Sequence, residues 1–220
     1  DQKRYEAAND FLMFSLKKKY AFLEDDFVLL TKDVLWYPDT QVGYNRKSPG
    51  RKLLFVDFSL KVKAPEGKTP VSQGDFRIRD DYYQFEPEYP LPQISLAIGD
   101  YEKKHITVAG IEYSVFHHPG SDFFVRHLDQ LADTLSHLIT DVVNEYEDAQ
   151  QLRYPFKRLQ FVEVPIQFTA YTKIYDSQAY LQPETVFWPE EGGEIDQFDF
   201  RRQLRDMNRQ ATQANQVLTE

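Results

Sequence analysis

A single helical pattern set between β-like segments constrains this chain more than any other feature. After Gly120-Ser121-Asp122, apolar residues recur at Phe124, Leu128, Leu131, Leu135, Leu138, Val142 and Tyr146. Steps of three and four residues gather them on one face of one long helix, with Ser121 placed to cap its first turn. Such a stripe must be covered, and the flanking sequence offers sheet to cover it. Residues 54–63 alternate Leu54, Val56, Phe58, Leu60 and Val62 with Asp57, Ser59, Lys61 and Lys63, the period of a strand wet on one face. Ala64-Pro65-Glu66-Gly67-Lys68 closes that strand as a turn, because Pro presets φ and Gly accepts positive φ.

Further strands are expected within 27–36, over 82–85, 94–98, 111–116 and 159–164. Polar helices are expected over about 5–20 and from about 196 to the end, and a loop marked by Pro183, Pro189 and Gly192-Gly193 precedes the latter. The fold class is therefore α+β: a sandwich-like sheet layer followed by a small α/β lobe with one long amphipathic helix. At 220 residues, 41% hydrophobic and 15% aromatic, the chain has enough apolar surface to offset its chain entropy and fold. Both ends read as polar helix without a cap signal, as expected of a piece of a longer protein.

Charge removes several function classes. A net charge of -9 with no Lys/Arg cluster disfavours nucleic acid and anionic membrane surfaces. No run approaches the roughly 20 apolar residues that span a bilayer, so this piece is not expected to insert into a membrane. Cysteine is absent, which removes disulfides, thiol catalysis and Cys-based zinc sites.

No complete catalytic centre is legible. A hydrolytic zinc site needs converging ligands, and no His-Glu-x-x-His occurs. His127 and His137 share the long helix but sit about 15 Å apart along its axis. His117 and His118 are adjacent on a strand and point to opposite faces. Gly67-Lys68-Thr69 lacks the first glycine of a phosphate loop, since Val62 stands in its place. Glu184, Glu190 and Glu191 read as a solvated acidic loop rather than a glycosidase pair, and Tyr82-Tyr83 and Phe187-Trp188 as sheet-covering aromatics rather than sugar platforms.

The order of the segments is more informative than any one of them. Ile94-Ser95-Leu96-Ala97-Ile98-Gly99-Asp100-Tyr101-Glu102 resembles the strand that closes the amino-terminal β-saddle of aminopeptidase N-like zinc peptidases and leads into their catalytic domain. Gly110 to Phe116 with Pro119-Gly120 is similar to that family's next strand, and the long helix falls where its first catalytic-domain helix stands. Tyr154-Pro155-Phe156-Lys157-Arg158-Leu159 followed by Val162-Glu163-Val164-Pro165 resembles the segment after that helix, and Phe58 to Pro65 resembles a saddle strand. Gln182-Pro183-Glu184-Thr185 takes the place of the Gly-x-Met-Glu-Asn loop, of which only Glu184 is retained after a longer insertion.

The stretches 83–90 and 182–190 look most like a bacterial branch in which a peptidase-like module is fused to an ABC-transporter permease. The resemblance implies a saddle-like domain over 1–99 and the start of a thermolysin-like domain over 100–220. It implies a zinc motif beyond Glu220 rather than a cofactor here, and a periplasmic or other extracytoplasmic location in a membrane-anchored parent. In working members of the family the glutamate matching Glu184 holds the substrate's amino group, which makes Glu184 the candidate substrate-binding residue. The implied role is to shape a peptide-binding cleft without catalysis by this piece alone; its partners are a peptide amino terminus, a partner protein or the rest of its own chain. Loss of most of the loop favours a relative that binds peptide or protein without hydrolysis. A carbohydrate-binding β-module, using Tyr82 or Trp188, is the remaining alternative.

Overall fold

The computed structural model describes residues 19–38, 55–121, 132–169 and 181–190. The helix expected from 196 onward and all but the last two residues of the one over 5–20, together with Leu54, Phe124, His127, Leu128, Leu131, Glu191 and Gly192-Gly193, lie outside them. Twelve strands form three sheets among these residues. Strands β1 (Phe22–Leu23), β2 (Val28–Leu30), β4 (Thr69–Val71) and β7 (Leu96–Gly99) make an antiparallel sheet in the order β1-β2-β7-β4. Pro70 lies in β4, at the sheet's edge, where the missing N–H breaks no ladder. Strands β3 (Leu60–Val62), β5 (Asp75–Arg79) and β6 (Tyr82–Glu86) make a second antiparallel sheet, with β6 central.

The third sheet runs β11-β12-β10-β9-β8, from β8 (Glu102–Val108), β9 (Ile111–His117), β10 (Arg158–Val164), β11 (Leu181–Gln182) and β12 (Thr185–Pro189). Its centre is parallel, β9 to β10 and β10 to β12, with antiparallel hairpins at both edges. Parallel neighbours require a crossover, and helix α1 (Ala132–Gln150) lies within the one between β9 and β10. A short helix, α2 (Ile166–Thr169), follows β10. This is the α+β architecture expected from the sequence.

Strand periodicity explains how the sheets stack. In β7, Leu96 and Ile98 join Val62, Phe85 and Leu60 in one apolar cluster, whereas Ala97 joins Phe22, Leu29, Val71, Phe116, Val162, Val164, Phe168 and Phe187 in another. Side chains alternate across a strand, so the four-stranded sheet is covered on both faces: one by the three-stranded sheet, the other by the five-stranded sheet. The larger core thus crosses the boundary expected at Gly99-Asp100, where Tyr101 also contributes its ring.

Three expectations are corrected. Among the described residues of the 54–63 segment only Leu60–Val62 forms a ladder, although burial still alternates from Val56 to Val62 and Val56 bridges to Leu91. The stretch expected as loop around Pro183 and Pro189 contains β12, paired parallel with β10 from Thr185 to Pro189. Two of its acidic residues are not solvated: Glu184 and Glu190 are both buried, with Glu190 accepting from the Ile166 N–H at 3.3 Å, while Glu191 lies outside the described residues.

The helix α1 also differs. Leu128, Leu135 and Val142 were expected against the sheet that holds 159–164; Leu128 lies outside the described residues and Leu135 is half-buried, yet Val142 is 52% exposed, with Leu138 at 49% and Tyr146 at 68%. The half-buried apolar row is Leu135, Ile139 and Val143, each three residues earlier and so rotated by about 60° at about 100° per residue. The stripe is wider than the surface available to cover it.

Candidate functional site

Strands β11 and β12 pair at Gln182 and Thr185, which leaves Pro183 and Glu184 as a two-residue connection. Pro presets the first turn position, and Glu184 takes φ 61° at the second. That position favours Gly or Asn, so a glutamate there is held against its backbone preference by its other contacts. These contacts are specific. The Glu184 carbonyl accepts from the Gln160 N–H at 2.7 Å, and its Oε2 accepts from the Gly74 N–H at 2.6 Å. Arg158 Nη1 lies 3.7 Å from the same Oε2, and the Arg158 guanidinium also pairs with Asp75.

The site is therefore a joint between sheets. Glu184 belongs to the five-stranded sheet, Gly74 to the connection between β4 and β5, and Asp75 to the first position of β5. The same connection is stitched down on its other side. Ser72 Oγ donates to the Ser95 carbonyl at 2.8 Å, Gln73 Nε2 donates to Ser95 Oγ at 2.7 Å, and Gln160 Nε2 donates to the Ser72 carbonyl at 3.1 Å. Gly74 must be glycine. Its φ is +91°, and a Cβ there would stand 2.3 Å from the Pro87 backbone nitrogen.

Burial pushes the Glu184 carboxyl above the usual carboxylate range, while the Gly74 N–H and the Arg158 guanidinium pull the other way. Asp75 is exposed, and its hydrogen bond from Arg158 holds it below that range. Beside Glu184 lies a space of about 10 Å³, lined also by Asp75, Glu88, Tyr89, Phe156 and Arg158. It would accommodate one water-sized polar group. Lys157 pairs with Glu88 at 2.6 Å on its rim.

A second buried polar cluster secures the entry to the helical crossover. Glu163, 1% exposed, accepts from the His118 N–H at 2.6 Å and from Ser121 Oγ at 2.5 Å. Tyr101 donates to the Glu163 carbonyl at 2.9 Å and stacks on His118 at 4.9 Å. Ser121 donates its hydroxyl to Glu163; the helix turn it was expected to cap lies outside the described residues.

The other sequence candidates are dispersed. His117 is buried, with Nδ1 3.1 Å from the His118 carbonyl oxygen, and His137 is exposed on α1. Among the described residues, no three His, Asp or Glu side chains converge as a metal-ligand set. Tyr82 and Trp188 lie on different sheets; Trp188 is half-buried and tilted against Phe161 at 6.3 Å. Gly67-Lys68-Thr69 is a turn, with the Lys68 N–H bonded to the Pro65 carbonyl at 3.1 Å. Gly74 and Arg158 were not singled out from sequence as partners of Glu184. The Gln73-Gly74-Asp75 turn signal could have marked the loop, though not the carboxylate it meets. Compared with known proteins, the chain matches no protein-family model and no curated protein sequence.

Proposed function

We propose that this chain is the cleft-shaping part of an aminopeptidase N-like, transporter-associated extracytoplasmic protein, and that it holds peptide or a partner protein without cleaving it. The reading rests on the resemblance in segment order, and the arrangement of β7, β9, α1, β10 and the Glu184 turn is compatible with that order. One observation shapes it: the carboxylate that the resemblance assigns to amine capture is 6% exposed and engaged by Gly74 and Arg158. In this reading Glu184 fixes one sheet against another at the edge of the cleft, and peptide is held by contacts other than its terminal charge. Any zinc belongs to the remainder of the parent chain, and no chemical step is assigned to the residues here.

A second reading is favoured by the small space beside Glu184. Gly74 fixes one carboxylate oxygen, and an ammonium entering that space would meet the other. Titration of the full chain with a mixed-sequence hexapeptide pool, and with the same pool N-acetylated, separates the two. The joint predicts that both pools bind alike, to wild type and to Glu184→Gln. Amine capture predicts a preference for the free amine of about tenfold or more, abolished in Glu184→Gln, since about 1.4 kcal/mol from one charge-assisted contact corresponds to that ratio. Failure of both pools to bind at millimolar concentration would remove peptide binding from this chain altogether.

A further inference from the structure

Helix α1 carries three parallel rows. Leu135, Ile139 and Val143 are half-buried, Leu138, Val142 and Tyr146 are exposed beside them, and Asp141, Glu145 and Asp148 are exposed beyond those. The acidic residues are spaced i, i+4, i+7, which keeps them on one face, flanking the exposed apolar row. No Lys or Arg occurs anywhere in the helix. Glu147 and Asp148 stand in its last turn, with Glu145 just before it, where the unpaired carbonyls of the macrodipole already present negative charge and where basic side chains are favoured. The helix is thus apolar where it could be wet and anionic where its own field disfavours anions.

The exposed row continues into a groove of about 380 Å³, whose walls include Tyr113, Val142, Tyr146, Leu152, Pro155 and Leu159. Leu152 is 72% exposed there. Glu147, also on the groove, accepts from the Tyr154 N–H at 2.9 Å, and Arg153 is the basic residue of the lining. The volume lies within the range of roughly 300–1,000 Å³ typical of binding pockets, and its lining of aromatic, aliphatic and proline side chains suits an apolar anchor.

We propose that this face of α1 and its groove form a docking surface for a cationic amphipathic segment of a partner protein. Its apolar anchors would fill the groove, and its Lys or Arg side chains would lie along Asp141, Glu145 and Asp148. Charge complementarity selects this occupant. An anionic lipid surface would be repelled by the acidic row, and a second copy of α1 would oppose acid to acid. Helix-in-groove recognition by anchors at i, i+3, i+4 and i+7 supplies the geometry. Glu184 is not among the residues that line the groove.

Fluorescence anisotropy with the full chain tests it, using three labelled peptides: an amphipathic leucine–lysine 14-mer, its leucine–glutamate counterpart, and a scrambled leucine–lysine peptide. The amphipathic cationic peptide should bind best, and about 0.5 M salt should weaken it by screening. Val142→Asp is decisive, because it adds negative charge while destroying the apolar row on an exposed position that the fold does not need. Docking predicts that Val142→Asp weakens binding by about tenfold or more, as loss of a central anchor does; nonspecific attraction to an acidic protein predicts tighter binding. The paired change Asp141→Lys with Glu145→Lys should shift the preference toward the leucine–glutamate peptide. Equal binding of the scrambled peptide, insensitivity to Val142→Asp, binding to anionic phosphatidylglycerol vesicles, or self-association of the chain through this face in sedimentation would each overturn the proposal.

Discussion

Substituting Gly74 by alanine tests the joint at its tightest point, because Gly67 offers a control with the same backbone requirement and none of the crowding. Both glycines have positive φ, +91° and +76°, so alanine at either is strained by about 1–2 kcal/mol. At Gly67 a Cβ would meet nothing within 4 Å, and the cost should end there. At Gly74 the Cβ would lie 2.3 Å from the Pro87 nitrogen and 2.4 Å from the Glu86 carbonyl carbon, both backbone atoms that cannot rotate away. The loop must move, and with it the Gly74 N–H that meets Glu184 at 2.6 Å. Loss of a hydrogen bond to a charged group costs about 1.5–3 kcal/mol, so Gly74→Ala should destabilise by about 2.5–5 kcal/mol in all. That is a large part of the 5–15 kcal/mol typical of a folded domain. Urea unfolding of the two variants, followed by far-UV circular dichroism and by tryptophan fluorescence, reads the difference directly. Equal midpoints for Gly74→Ala and Gly67→Ala would refute both the close approach and the hydrogen bond that depends on it.

The remaining predictions concern charge and the core. Burial raises the Glu184 carboxyl, so the folded protein holds that proton more tightly than the unfolded chain. The stabilisation is complete below the unfolded value and is lost as pH rises through the folded one. Glu184→Gln removes this titration while keeping an acceptor for Gly74, so its stability relative to wild type should improve as pH rises above the ordinary carboxyl range. Asp75 shares the Arg158 guanidinium with Glu184, so the comparison is repeated in an Asp75→Asn background, where a gap that is constant, or that moves toward wild type, would contradict the burial argument. Leu29 is fully buried whereas Leu23 is 75% exposed, so Leu29→Ala should cost about 2–5 kcal/mol by chemical denaturation and Leu23→Ala under about 0.5. Similar losses at the two sites would mean that the larger core is not placed as described.

What was legible in the sequence follows from which elements carry a one-sided apolar pattern. The segments at 82–85, 94–98, 111–116 and 159–164 were found because their side chains are buried on at least one face. β5 and β8 were not: β5 alternates Phe76 and Ile78 with Asp75, Arg77 and Arg79, a strand signal that was passed over although all five residues are exposed, and β8 is an edge strand whose exposed Lys103, Lys104 and His105 carry no apolar pattern. β12 was hidden by the prolines that bracket it, although Pro189 comes last in its ladder and Pro183 sits in the turn. Glu184 was legible as a residue but not as a contact. Its partners Gly74 and Arg158 lie 110 and 26 positions away, and a long-range hydrogen bond to a backbone N–H leaves no mark on local composition.

The two discrepancies of α1 and Glu184 point in opposite directions, and that contrast bears on function. Glu184 was expected to be available and is instead used inside the fold, tying the five-stranded sheet to Gly74 and Asp75. The α1 stripe was expected to be used inside the fold, yet its Leu138, Val142 and Tyr146 face outward. A fold that needed α1 only as packing would gain by making that outer row polar, since exposed leucine and tyrosine add little stability and invite association. Nor does helix propensity call for Asp148 in its last turn, where a carboxylate opposes the dipole and where, unlike Glu147, it holds no backbone N–H in the hydrogen bonds described above. Recognition residues are easiest to separate from structural ones where local stability would have chosen otherwise. By that criterion the outer face of α1 is the place where the proposed partner would dock, whereas Glu184 is used in joining the sheets.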